Sequence, residues 1–145
     1  MVSVPMEKIG QASGSQSTVR QIGSALGIAV LGTVLFTATQ VSIENRIVDI
    51  KSLSVIDVDA RKELATSIAK PVSDSAGAAI VGIPAYLTSQ GVPDQVATEV
   101  TVAAQDGFTD GMKATGWAAA LFLLLGLAST YNIGTKTPRE KKAAK

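Results

Sequence analysis

"GQASGSQSTVRQIGSALGIAVLGTVLFT", residues 10–37, is the stretch on which the fold turns. It opens polar, carries one arginine at Arg20, and then drops all charge while keeping glycine at Gly23, Gly27 and Gly32. The uncharged run extends from Gln21 to Ile43, 23 residues closed by Glu44. A second uncharged run of 22 residues, Ala114 to Thr135, lies between Lys113 and Lys136. At 1.5 Å per residue such helices are roughly 33–35 Å long, and the hydrocarbon core of a bilayer is about 30 Å thick. Both runs are therefore predicted to cross a membrane. Trp117 and Tyr131 stand near the ends of the second, where aromatic belts form. A pair of buried helices in a soluble protein is the alternative, and core helices rarely stay charge-free for six turns. A signal peptide is another: Ile22–Phe36 would be its apolar region and "TATQ" its small residues. Its leading region would be 20 residues long, with Glu7 partly cancelling Lys8 and Arg20.

Composition narrows the chemistry. The 145 residues suffice for one modest domain. They are 46% hydrophobic but only 4% aromatic, with the apolar residues gathered into blocks, unlike an ordinary soluble core. The net charge of +1 gives no bias toward nucleic acid. Cysteine and histidine are absent, which excludes disulfides, thiolate nucleophiles, histidine acid–base catalysis and zinc sites built on either residue. Neither run contains an ionisable side chain, so a proton-coupling carboxylate would have to come from elsewhere. "DVD" at 57–59 resembles half of a calcium loop without its glycine and distal glutamate. No cofactor, metal or enzyme activity is expected. Asp106 and Asp110, just before the second run, read as carboxylates complementing a helix N-terminus.

Charge is sorted along the chain. Residues 1–20 are net +1, residues 44–113 hold ten acids against six bases, and the tail 136–145 holds five bases against Glu140. Basic residues beside a span favour the cytoplasmic side. The expected order is a cytoplasmic segment 1–20, a span 21–43, an extracytoplasmic loop 44–113, a span 114–135 and a cytoplasmic tail 136–145. The fold class is an all-α membrane protein whose two transmembrane helices are joined by a long, mostly helical loop. Within the loop, "DVDARKELATSIAKP" predicts a helix capped by Asp57 or Asp59, with Leu64, Ala65 and Ile68 on one face and Pro71 as its stop. A second helix is predicted from Pro93 or Asp94, with Val96 and Val100 one turn apart. Residues 75–92, uncharged but short and centred on Pro84, read as a packing or interfacial segment, with a re-entrant or spanning role as the alternative.

The glycines in the first run have a physical use. Gly23 and Gly27 form a GxxxG pair, and Ala25 with Ala29 forms a second small pair offset around the helix. Helices in lipid gain little hydrophobic energy by associating, so small residues that admit another backbone closely carry the contact. Homodimerisation, or packing within the hairpin against Ala118, Ala119 and Gly126, would use them equally well.

The pattern GxxSGxxxTxRQxGxxxGxAxxG stands here as Gly10, Ser13, Gly14, Thr18, Arg20, Gln21, Gly23, Gly27, Ala29 and Gly32. It resembles the thirteenth span of the fourteen-span drug:proton antiporters of the major facilitator superfamily, the EmrB/QacA type. "FTDGMKATGWAAALFLLLG" is similar to that family's approach to its last span. Ser17, where the family often has asparagine, and Gly107, where it often has alanine, depart from the pattern; residues 44–100 match least well. The resemblance implies that Gly23, Gly27, Ala29 and Gly32 form a seam between the two rocking halves of a transporter. It further implies that Arg20 and Gln21, with the rest of the motif, help close a cytoplasmic gate; Arg20 as a positive-inside anchor is the alternative. The partners implied are the bilayer of a bacterial cytoplasmic membrane, the remaining transmembrane helices and, for the full-length protein, a hydrophobic or cationic drug-like molecule. On this reading the chain is the C-terminal portion of such a transporter, opening at an internal methionine or a truncated frame, and does not transport alone. The alternative is a standalone two-span hairpin that acts as an interaction or accessory protein.

Overall fold

The computed structural model describes residues 9–134 and is helical throughout, with no strand among the described residues. Residues 1–8 and 135–145 lie outside the described residues, and with them Glu7, Lys8, the last residue of the predicted second span and the bases of the tail. Helix α1 runs unbroken from Ile9 to Val48. It overruns the predicted span at both ends, and its five glycines do not interrupt it. After a short 3₁₀ turn, Lys51–Val55, comes α2, Val58–Asp74. A second 3₁₀ turn, Ala78–Gly82, leads into α3, Ile83–Ser89. Helix α4 covers Asp94–Gly134.

Three local expectations meet the structure differently. Asp57 caps α2 as read: its carboxylate accepts the Asp59 backbone N–H at 3.0 Å. Pro71, however, does not end α2, which continues to Asp74. The helix survives its proline because the next two residues are needed inside. Val72 is buried, and the Ser73 hydroxyl lies 3.2 Å from that of Thr39 on α1. Burying a valine contributes about 1.5–3 kcal/mol, enough to offset much of a proline's roughly 3 kcal/mol cost. The end is instead made by a Schellman motif. Gly77 N–H donates to Val72 O at 2.7 Å and Ala76 N–H to Ser73 O at 3.1 Å, with Ala76 and Gly77 both at positive φ. Finally, the helix starting at Asp94 is not a separate outer helix. It runs straight through Val102 and into the second apolar run.

The core occupies one end of the molecule. Ile43 and Ile47 of α1 meet Ala65, Ile68 and Val72 of α2, Ile83 and Leu87 of α3, and Ala97, Val100 and Ala104 of α4. Residues 75–92 thus supply two core side chains, in keeping with a packing role. The antiparallel helices α1 and α4 meet at a close crossing. A Cβ on Gly107 would lie 2.6 Å from Ile43 Cα, and one on Gly111 would lie 2.6 Å from the Thr39 backbone nitrogen. Only glycine fits at these two positions. Beyond the crossing the helices part. Every described residue of α1 from 9 to 30, and of α4 from 121 to 131, is exposed. The shape is a small four-helix cap on two uncovered apolar legs.

Candidate functional site

The legs are where the sequence places function. A charge-free helical surface of this length has no internal cover: only 6% of each apolar window is buried. Both helices are long and apolar enough to cross a membrane. Leu26, Ile28, Leu123, Leu124 and Leu127 all stand in the open.

The family-pattern residues Gly10, Ser13, Gly14, Thr18, Arg20 and Gln21 occupy the first turns of α1, all exposed. The Thr18 hydroxyl donates back to Gly14 O at 3.0 Å, which satisfies it within the helix. Gly23, Gly27 and Gly32 have nothing within 4 Å of where a side chain would begin. None of the four seam residues is brought against another element, and Gly23 and Gly27 do not pack on Ala118, Ala119 or Gly126 within the chain. Because α1 is one continuous helix, its small residues can be placed around the axis at about 100° per residue. Gly23 and Gly27 lie on one side with Arg20. Gly14, Thr18, Gln21, Ala25, Ala29 and Gly32 form a second stripe on roughly the opposite side. The residues predicted to form one seam therefore divide between two stripes, back to back on one helix.

The close helix contact that the chain does make was missed by the sequence reading. It uses a different GxxxG pair, one of three in the chain, Gly107 and Gly111, which is legible as a motif but sits outside the uncharged runs. Thr39 fills the crossing and is buried, its hydroxyl donating to Leu35 O at 2.8 Å. Above the crossing, Arg46 joins α1 to α4. Its Nε donates to Asp110 Oδ2 at 3.1 Å and one terminal nitrogen to Asp106 Oδ2 at 3.4 Å. Lys113 reaches Asp110 from one turn below at 3.2 Å. Asp106 and Asp110 are thus interior helix residues engaged by Arg46, not carboxylates at a helix N-terminus, because α4 begins twelve residues before Asp106, at Asp94.

Hydrogen bonds from Arg46, then from Lys113, hold the Asp110 carboxyl below its ordinary pKa of 3.8, and the Asp110 hydrogen bond raises Arg46 further. A carboxyl whose folded pKa is depressed adds stability above its unfolded pKa and loses it as pH falls through the folded value. Amide exchange at the crossing, corrected for intrinsic rates, is therefore expected to be flat above about pH 5 and to quicken below pH 4. Asp110→Asn should remove most of that dependence. A crossing that opens equally at acid pH in both proteins would refute the assignment. These side chains are well exposed, so the pair sets orientation more than stability.

Among the described residues no three metal-ligating side chains converge. The groove of about 330 Å³ between α2 and α3, lined by Ile68, Pro71, Val72, Ile83 and Tyr86 among others, has no charged group. No family model matches the chain, and neither a curated protein nor a solved structure matches it.

Proposed function

We propose that the chain is the C-terminal portion of a multidrug efflux transporter of the major facilitator superfamily. Residues 21–43 of α1 and 114–135 cross the bacterial cytoplasmic membrane, the cap stands outside, and both termini are cytoplasmic. The observation that carries the reading is the pair of small-residue stripes on opposite sides of an uncovered apolar helix. A helix facing only lipid and one partner needs a single close-packing stripe. A helix wedged between two sets of neighbours uses both sides. The family pattern from Gly10 to Gly32 points the same way. The neighbours are the remaining transmembrane helices, and the cargo of the complete assembly is a hydrophobic or cationic drug-like molecule. Two spans enclose no central cavity, so the chain alone does not transport.

A standalone hairpin is favoured by one observation, that the cap closes a core of its own between residues 39 and 111. The two readings separate in the cell. An open frame continuing upstream of Met1 through further hydrophobic segments should confer drug efflux that residues 1–145 by themselves do not. A stop codon and ribosome-binding site directly upstream would contradict the transporter reading and favour the hairpin.

A further inference from the structure

We infer that the turn between α2 and α3, residues 75–82, rests on the outer lipid interface, with Val81 entering the border of the acyl region. The inference deepens the membrane reading and depends on it. Three observations place the turn at that depth. The hydroxyls of Ser73 and Thr39 are 3.2 Å apart, and a Cβ at Gly77 would sit 3.1 Å from the Phe108 ring. Thr39 and Phe108 flank the α1–α4 crossing, one turn from Ile43 and two turns from Ala114. Ile43 and Ala114 bound the two charge-free runs, Thr39 lying four residues inside the first and Phe108 six residues before the second, so the turn stands within two helical turns of both limits.

The chemistry of the turn suits that height. Residues 75–92 carry no charge. The last charges before them, Lys70 and Asp74, pair at 2.9 Å, and the Lys70 ammonium lies 6.0 Å from the centre of the Phe36 ring. A lysine can take such a place by laying its aliphatic stem along apolar surface and pairing its head, here with Asp74. The backbone of the turn is largely self-satisfied, as approach to lipid requires. Ala78 N–H donates to Ser75 O and Ile80 N–H to Gly77 O, both at 3.2 Å, and Ala79 N–H donates to the Ser75 hydroxyl at 2.9 Å. Val81, in this turn, is 88% exposed.

Val55 is the internal control. It is the same residue with the same 88% exposure, at the opposite end of the cap between Lys51 and Asp57. The chain has no cysteine, so Val81→Cys, Val55→Cys and Leu124→Cys can each carry one bimane fluorophore in the full chain. The proteins are placed in phosphatidylethanolamine–phosphatidylglycerol vesicles containing lipids spin-labelled near the headgroup or deep in the acyl chain. The expected result is deep quenching at position 124, severalfold stronger quenching at 81 by the shallow label than by the deep one, and none at 55. Quenching at 124 with position 81 as dark to both labels as 55 would overturn this inference and leave the membrane reading standing. Quenching at 81 as deep as at 124 would overturn it in favour of a spanning segment. No quenching at 124 would overturn the membrane reading and this inference with it.

Discussion

Gly111→Ala is expected to loosen the cap, while the same change at Gly27 tightens the chain. Alanine favours a helix over glycine by about 1 kcal/mol at either position. At Gly111 the new methyl would sit 2.6 Å from both the backbone nitrogen and Cγ2 of Thr39. A backbone atom cannot rotate away, so the helices must separate and lose their packing along Ile43 and Ile47. Overpacking of this severity stands near the upper end of the usual 1–3 kcal/mol, leaving a net loss of about 2 kcal/mol. Amide exchange along Thr39–Ile47 in the detergent-solubilised chain should then quicken roughly 30-fold. At Gly27 the methyl meets open space, and the propensity gain is unopposed. Equal exchange rates in Gly111→Ala and the parent would mean that the crossing is not close-packed as described.

The second large effect belongs to the complete transporter of which we propose the chain is a part. Gly27→Leu is expected to reduce drug efflux per correctly inserted molecule, and Gly126→Leu to leave it nearly unchanged. Within this chain the two sites are alike, since neither glycine has a neighbour within 4 Å. A difference in transport must therefore come from helices beyond the chain. Gly27 shares its stripe with Gly23, so on the proposed reading leucine there would fill the groove that receives another backbone, at about 1–3 kcal/mol. If inward-open and outward-open states bear that cost unequally by about 1.4 kcal/mol, their ratio changes tenfold. Gly126 lies in the last span, which the family resemblance puts at the lipid-facing periphery. Equal efflux by both variants at equal surface expression would reduce Gly23 and Gly27 to static packing.

The elements most legible in the sequence are those whose signals are local. Asp57 caps α2 with its own side chain, Asp94 opens α4, and two uncharged runs announce two long helices. What escaped the sequence reading depends on contacts across the chain. Pro71 is a helix stop by local rule, yet α2 passes through it because Val72 packs into a core drawn from all four helices and Ser73 meets Thr39, 34 residues back in sequence. Asp106 and Asp110 look like N-terminal carboxylates only while their partner is unknown. Arg46 sits 60 and 64 residues away, a pairing that no periodicity reveals. The site was legible in the reverse sense. Gly23, Gly27 and Gly32 stand out because glycine is costly in an apolar helix, and Ala29 because it is small; no contact within the chain offsets the cost of the glycines. The crossing glycines, Gly107 and Gly111, lay among charged residues and drew less notice.

The central claim is that the two bare legs cross a bilayer with the cap outside and both ends of the chain inside. Its most direct test is the reaction of single cysteines with a membrane-impermeant thiol reagent in intact cells, in a chain that has no other cysteine. Ser54→Cys, at the far end of the cap, should be labelled before the cells are opened, and Ala143→Cys, in the basic tail, only afterwards. Labelling of position 143 but not 54 in intact cells would invert the topology, and labelling of neither or both would contradict a hairpin that spans the membrane with the cap outside.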